Sequence, residues 1–570
     1  MSDLAKPMRS KMISPARRVF RAFLLIAFGA WLGGSAFDSA SSGISGLPGI
    51  SGGSNGRPLL DLIERIDQVY VDSVDRTELE TVAVEAILEH LDPFSSWIPP
   101  SYFDEVNEQM QGVFQGIGVE FAIIEDTIRV LRVLPGGPSS SLDLQAGDRI
   151  YAVNDSVIAS PDLNNDLVKQ LLKGPAGTPV LLGLHRPSFA PGAIAERLEI
   201  EVTRGNVFIP SVSLGHMLAP GIAYIHVDRF ADQTDIEFQL ALARLQAEGA
   251  ERLIIDLTTN SGGYLHAVIP MAELFLAEGQ SVVYTEGKAR PRREYVASHD
   301  GLALDMPVAV AITVNSASAS EIFAGALQDH DRALIVGRRS FGKGLVQEEY
   351  PVGGGALRLT VSRYYTPSGR CIQTPYGAAA PPNDSTSSDS TSTTCEPAEP
   401  LVYFTDAGRA VYGGGGIAPD LEVARDTSAG RRALAEALWL GWPGYHVEEL
   451  IDANRHAYAQ IEDEYAWAAT WRTLDLGIDS LAADALAFHP DYSPALLEEF
   501  SEALGQFLAR RIAHQLWGPG ASYFIGAQYS PIIQRAVLAL QTEEGLDLSP
   551  AASDSLPSEQ HNESQNELQN

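Results

Sequence analysis

The sequence predicts an α/β protein of several domains, and three observations carry that prediction. At 570 residues the chain exceeds what one hydrophobic core organises, so three or four domains are expected. Its 45% hydrophobic and 20% charged residues are those of a globular protein. From about 208 to 425, strand-like apolar runs ("GIAYIHVDRF", "ERLIIDLTT", "PVAVAITV", "ALIVG") alternate with helical periodicity ("QTDIEFQLALARLQAEG", "LHAVIPMAELFLAEG", "ASEIFAGALQD"). Such alternation builds a core of parallel strands, with chemistry at the strands' C-terminal ends.

Residues 1–40 read as an export signal or signal anchor. Lys6, Arg9, Lys11, Arg17, Arg18 and Arg21 precede "AFLLIAFGAWLGGSAF", an apolar run with small residues at Gly34 and Ala36. The run is slightly short for a spanning helix of about 20 residues. Cleavage and retention as an inner-membrane anchor both stay open, and either exports the bulk of the chain to the periplasm or another extracytoplasmic space. A Gly/Ser-rich linker (41–57) leads to a helical segment (58–110) carrying "LLDLIERIDQVYVDSV" and "ELETVAVEAILEHL", which "LDPFSSWIPP" ends at a proline turn. Short alternating runs ("GVEFAIIE", "TIRVLRVLP", "DRIYAVND", "VLLGLHRP") with one helix, "DLNNDLVKQLL", make a β-rich module at 111–206. The α/β core spans 207–427. A helical region follows at 428–545, and 546–570 is a polar tail with nothing to bury.

Within the core, an insertion at 374–398 is rich in Ser, Thr and Pro. In an oxidising compartment a disulfide between Cys371 and Cys395 would close this loop, worth about 3 kcal/mol by loop-closure arguments; two unpaired thiols are the alternative.

With 73 acidic against 40 basic residues, net charge −33, the chain is a poor partner for nucleic acid. Only six lysines occur, at 6, 11, 169, 173, 288 and 343. Such an acidic, arginine-using surface suits high salt and plain solubility equally well. Neither H-E-x-x-H nor paired C-x-x-C occurs among two cysteines and twelve histidines, so no metal or organic cofactor is expected.

The chemistry centres on Ser316, Ser318 and Ser320 of "SASAS", at a strand-to-helix turn where helix caps and exposed nucleophiles both occur. No G-x-S-x-G surrounds them, so a base must come from elsewhere. The next loop, "VGRRSFGKGLVQ", holds Lys343 among Phe341, Leu345 and Val346. A lysine deprotonates a serine only when neutral, and burial is what lowers its pKa. Read as G-x-x-x-x-G-K, the same segment lacks the Ser/Thr of a phosphate loop, because Gly344 follows the lysine. Acyl transfer also needs oxyanion donors, and "IIDLTTNSGGYLHAVI" supplies a glycine turn at Gly262 and Gly263 whose N–H groups can converge on one spot; an ordinary β–α turn looks the same.

Taken together, "LDPFSSWIPP", "GVFQGIGVEF", "GGPSSSLDLQAGDRIYAVND", "DLTTNSGG", "VNSASASEIFAGALQDHDRALIVGRRSFGKGLVQ", "RYYTPSGRCIQ" and "GIAPDLEV" resemble the carboxyl-terminal processing (tail-specific) serine proteases, over roughly 58 to 425. The resemblance implies a ClpP/crotonase-like α/β protease core with an inserted PDZ domain, flanked by the N-terminal helical segment and the helical C-terminal extension. It implies Ser318 as nucleophile, Lys343 as base, Gln347 orienting the lysine and Asp329 as an acidic position needed for structure. Ala319 with Gly262 or Gly263 would supply the oxyanion amides. In the PDZ module, Gly116, Ile117, Gly118 and Val119 would form the carboxylate loop and following strand, capturing apolar C-terminal tails of protein substrates by β-augmentation. An activating partner and a homo-oligomer stay open. The family's D-L-R-x-N-P-G-G appears here as "DLTTNSGG", without arginine and proline, which leaves the bracing of the glycine turn unexplained. An inactive PDZ scaffold on a protease-like body is the alternative.

Overall fold

A computed structural model of the chain describes residues 58–542 except 155, 188–194, 214, 377–400, 441–447, 449, 455, 456, 459 and 487–492. The expected export segment, linker, most of the insertion with Cys395, and the polar tail lie outside the described residues. The chain divides into two units, Met1–Ala83 and Val84–Asn570. In the first, helix Pro58–Val69 buries Ile63, and helix Arg76–Glu89 crosses the division in sequence.

The centre of the second unit is a six-stranded sheet: β1 (His216–Ala219), β2 (Ile222–His226), β3 (Arg252–Asp256), β4 (Val308–Ile312), β5 (Leu334–Gly337) and β6 (Leu421–Glu422). Spatial order equals chain order; β1 is antiparallel to β2, and β2 to β6 are parallel. Helices α1 (Thr234–Ala247), α2 (Leu265–Glu273) and α3 (Ala319–Asp329) follow β2, β3 and β4. Crossovers between parallel strands are right-handed, so an order that never reverses puts all three helices on one face. There Ile225, Leu253, Ile255 and Val310 pack with Phe238, Met271 and Phe323.

Strand side chains alternate between faces. Ile222, Tyr224, Ile254, Ala309 and Ala311 therefore point the other way, against Ile532, Ile533, Ala536 and Leu540 of helix Pro531–Gln541. The helical C-terminal region thus completes the core's second face. Its own core gathers around Trp467, Trp471 and Phe500.

A second, antiparallel sheet was not among the predicted elements. Its order is Ser96–Ile98, Gly355–Tyr365, Ser281–Gly287, Arg290–Val296, with Leu345–Val352 also pairing with Gly355–Tyr365. Strand "RPRREYV" is almost wholly exposed and charged, and "LVQEEYPV" is half-buried or exposed with only one buried residue, so no apolar run announces either.

The β-rich module is a sheet ordered Val119–Ile124, Thr127–Val133, Arg149–Val153, Pro179–Arg186, Glu196–Thr203. Helix Asn165–Leu172, capped by the Asn164 side chain, packs Val168 and Leu172 into its core beside Ile117. Val119–Ile124 is an edge strand. A ribbon of Val113–Gly116 with Gly205–Phe208 joins the module's two ends. Among the described residues no helix is long and apolar enough to cross a membrane.

Candidate active site

The turn from β4 to α3 sorts the three serines. Ser316 and Ser320 are fully buried, and their hydroxyls donate to Leu257 O at 2.7 Å and Asn260 O at 2.8 Å. Both tie the α3 start to the loop after β3. Ser318 alone keeps partial access to solvent. It is the N-cap of α3, with φ 55° and ψ −114°. A non-glycine residue held there costs about 1–3 kcal/mol, which the surrounding bonds must offset.

The loop after β3 reaches the same place. Gly262 and Gly263 have φ of 108° and 146°, and a Cβ on Gly262 would stand 2.8 Å from Ser318 Cβ and 3.2 Å from Ala319 N. Only a residue without Cβ lets the two turns approach this closely. The N–H groups of the two glycines meet different surroundings. Gly262 donates to Asn260 Oδ1 at 2.8 Å, so its N–H is occupied. Gly263 pairs with Phe230, whose N–H donates to Gly262 O at 2.9 Å and whose carbonyl accepts from Tyr264 N–H at 2.8 Å. In this parallel pairing the N–H of Gly263 faces away from Phe230.

The bracing lost with the arginine and proline is supplied by polar side chains. Asn260 Nδ2 donates to Val227 O at 3.0 Å, Thr313 Oγ1 to Thr258 O at 2.6 Å, and Thr258 N–H to Asp256 Oδ1 at 2.8 Å. Burial pushes the Asp256 carboxyl up, but His226, with Nδ1 3.4 Å away, and the bonds from Thr258 together outweigh it and hold the group at about 2, so it remains an acceptor.

Lys343 enters from the loop after β5. Its Nζ donates to Gln347 Oε1 at 2.9 Å, and Gln347 Nε2 donates to Phe94 O at 2.7 Å. The Phe94 ring lies over the ammonium, 5.0 Å from Nζ to centroid. Among the described residues no hydrogen bond links Nζ to Ser318 Oγ. Burial pushes the lysine pKa down, Arg358 adds to this, and the charges of Asp92 and Glu321 oppose it. Burial in this case wins, and the amine is held below its ordinary pKa.

Asp329, which the resemblance implies as an acidic position needed for structure, lies at the other end of α3 from Ser318. It closes that end, about 16.5 Å along the helix from Ser318 at 1.5 Å per residue. There its carboxylate accepts from the buried Arg370 Nη2 at 2.7 Å and from Ser368 N–H at 2.9 Å.

Phe94, Asn260, Glu321 and Tyr364 had no assigned role at the site in the sequence analysis. The signal for Glu321 was present as Ser-x-x-Glu, a helix capping pattern; nothing local marks Tyr364. In the β-rich module, Gly116 ends the ribbon strand, Ile117 is buried with its carbonyl accepting from Ser139 N–H at 3.1 Å and Oγ at 2.7 Å, Gly118 has φ 79°, and Val119 opens the edge strand. Cys371 is half-buried, and its expected partner lies outside the described residues. No group of His, Cys, Asp or Glu suited to a metal occurs among the described residues.

A partly accessible hydroxyl among backbone amides, with a half-buried amine nearby, is equipment for acyl transfer. Comparison with known proteins points the same way. Residues 221–379 match Peptidase family S41. The chain is 34% identical over 314 residues to the carboxy-terminal-processing protease of Bartonella bacilliformis, covering 54% of this chain and 70% of that protein. To the carboxy-terminal processing protease CtpB of Bacillus subtilis it is 29% identical over 311 residues, covering 54% and 63%. Among solved structures, the photosystem II D1 C-terminal processing protease is 26% identical with a TM-score of 0.32, covering 64% of this chain and 92% of that one. A PDZ domain of a Vibrio cholerae carboxy-terminal protease, solved with a peptide, is 27% identical with a TM-score of 0.15, covering 17% and 99%. The chain belongs to peptidase family S41 and is a serine-type peptidase.

Proposed function

We propose that this chain is an exported endopeptidase that uses a Ser318/Lys343 dyad to cleave proteins recognised by their C-terminal tails. The observation that carries the reading is the meeting of three loops, after β3, β4 and β5, that gathers Ser318, the Gly263 amide and Lys343. Neutral Lys343 takes the Ser318 Oγ proton as Oγ attacks the scissile carbonyl carbon. The N–H groups of Ala319 and Gly263 receive the developing oxyanion. The lysine ammonium gives its proton to the leaving amine as the C–N bond breaks, leaving an acyl-enzyme. Water then attacks the ester, its proton passing to Lys343, and the product acid leaves as Ser318 regains its proton. Gln347, anchored on the Phe94 carbonyl, orients the lysine. No step needs a metal or organic cofactor.

The core is of the ClpP/crotonase-like kind in this reading, and the β-rich module acts as a PDZ domain. Its free edge at Val119–Ile124 beside helix Asn165–Leu172 suits β-augmentation by an extended tail, with the Gly116–Val119 loop at the terminal carboxylate. The N-terminal segment directs export and tethers the enzyme to the inner membrane if it is retained.

The experiment compares the full chain with Ser318→Ala and Lys343→Ala on an unfolded protein ending in an apolar tail, and on the same substrate with an amidated C-terminus. The reading expects cleavage by wild type only, and weaker cleavage of the amidated form. Full activity in both variants favours neither residue as catalytic. An inert wild type favours the inactive scaffold.

A further inference from the structure

Among the described residues Glu321 is the one carboxylate buried between the two loops that carry Ser318 and Lys343, and the mechanism above leaves it unused. It is wholly inaccessible, in the first turn of α3. Its Oε2 accepts from Ser318 N–H at 2.8 Å and from Lys343 N–H at 2.9 Å. Its Oε1 accepts from Gly342 N–H at 2.7 Å and from Ser340 Oγ. Because one oxygen serves both Ser318 and Lys343, their backbone nitrogens are no further apart than two hydrogen bonds laid end to end.

The carbonyl sides of the same two residues are joined by a second buried group. Tyr364 Oη lies 3.0 Å from Ser318 O and 2.6 Å from Lys343 O, positioned to share its proton between them. Burial pushes this phenol's pKa well up, so the hydroxyl stays a donor. Ser318 and Lys343 are thus linked at both peptide faces, by an acceptor on one side and a donor on the other, in loops 25 positions apart in sequence.

We propose that Glu321 and Tyr364 form a clamp that sets the separation of the Ser318 nucleophile from the Lys343 base, making both positioning residues for the peptidase reaction. The inference rests on the Ser318/Lys343 reading. The clamp needs Glu321 ionised, and its partners favour that form. All four neighbours of its oxygens donate, and Ser340 Oγ, which accepts from Ile417 N–H at 2.6 Å, has its own proton left to give. A carboxylic acid would place a fifth proton where no acceptor waits. Burial is the larger effect and raises this carboxyl above its ordinary value, while the four donors and the α3 N-terminus oppose the rise. The charge so held stands near Lys343 and favours the ammonium. The clamp therefore acts on the base twice, through its position and through its proton affinity.

The test uses Glu321→Gln and Tyr364→Phe in the full chain, with Ser318→Ala and Lys343→Ala as references. Covalent labelling by a fluorophosphonate is followed across pH, with kcat and KM on the tailed substrate. Loss of alignment at this scale costs about 100-fold. Glu321→Gln is expected to slow labelling and kcat by about 10- to 100-fold with KM nearly unchanged. Its labelling midpoint moves to lower pH, because a negative charge has left the lysine. Tyr364→Phe, which removes one oxygen, lowers kcat by several-fold without moving the midpoint. If Glu321→Gln does not fold, Tyr364→Phe decides alone: wild-type kcat there overturns the clamp. Wild-type labelling and an unmoved midpoint in a folded Glu321→Gln overturn it equally. Wild-type labelling of Lys343→Ala instead overturns the dyad reading, so the two failures are distinguishable.

Discussion

His514 Nε2, on helix Pro494–Trp517, lies 2.9 Å from the carboxylate of Glu120 on the edge strand Val119–Ile124. Arg132 donates to the other Glu120 oxygen at 2.7 Å, and Arg129, on the neighbouring strand, stands 2.9 Å from Asp452. The C-terminal helical region thus grips the β-rich module beside the strand proposed to receive substrate. Burial pushes the Glu120 carboxyl up, but His514 and Arg132 outweigh it and hold it at about 2, against an ordinary 4.5. A depressed carboxyl contributes stability above its ordinary pKa, and that contribution is lost as pH falls through the folded value. Hydrogen exchange across 119–133 should accelerate between pH 4.5 and about 2, and in His514→Ala that acceleration should be smaller and should end at higher pH. An acceleration of the same size and span in the variant counts against the grip.

Gly262→Ala should abolish activity. The added methyl meets Ser318 Cβ and Ala317 O, both at 2.8 Å, in a backbone conformation with φ 108° that side chains disfavour. A displaced nucleophile costs about 100-fold or more. Fluorophosphonate labelling would report it directly; labelling at the wild-type rate would show that the two turns do not need this approach.

The pH profile should carry the signature of Lys343. Its pKa lies below the ordinary 10.5, and only its neutral form accepts a proton, so activity rises with pH through that lowered value. Lys343→Arg should be inactive at every pH, because a guanidinium stays charged. A rate that falls over the alkaline range while the fold persists contradicts the assignment.

Asp329 and Arg370 are expected to matter for folding. Both are essentially inaccessible, 1% and 0% exposed. Burial pushes the Arg370 pKa down, Asp329 opposing it. Removing one partner of a buried pair costs about 3–5 kcal/mol. Asp329→Asn should lower Tm markedly while the surviving folded fraction still labels at Ser318. Lost labelling at unchanged Tm would place Asp329 in the chemistry after all.

Truncation after residue 530 should prevent folding of the core. It removes Ile532, Ile533 and Leu540, each at most 4% exposed, from the second face of the sheet. At about 1.5–3 kcal/mol for each buried aliphatic side chain, the loss rivals a net stability of about 5–15 kcal/mol. Light scattering and thermal melting of the truncated chain would check this; a soluble, cooperative protein would mean the helix is dispensable.

What the sequence by itself determined was the part written locally. The runs from "GIAYIHVDRF" to "ALIVG" became β2 to β5, because buried parallel strands must be continuously apolar. "ASEIFAGALQD" became α3, and the rare Lys343 pointed to a base that arginine could not replace. Tertiary structure decided what depends on distant partners. It separated Ser318 from Ser316 and Ser320, since only packing shows which hydroxyls find a carbonyl across the fold. It spent the Gly262 amide on Asn260, paired Asp329 with Arg370, and brought Phe94, Glu321 and Tyr364 to the site. It also formed the antiparallel sheet, whose strand Arg290–Val296 is exposed and charged, and set the last helix on the core's second face. Residues close in the chain announce themselves by periodicity. A hydrogen bond between segments far apart in sequence leaves no local pattern, and its partners are chosen only when the chain closes upon itself.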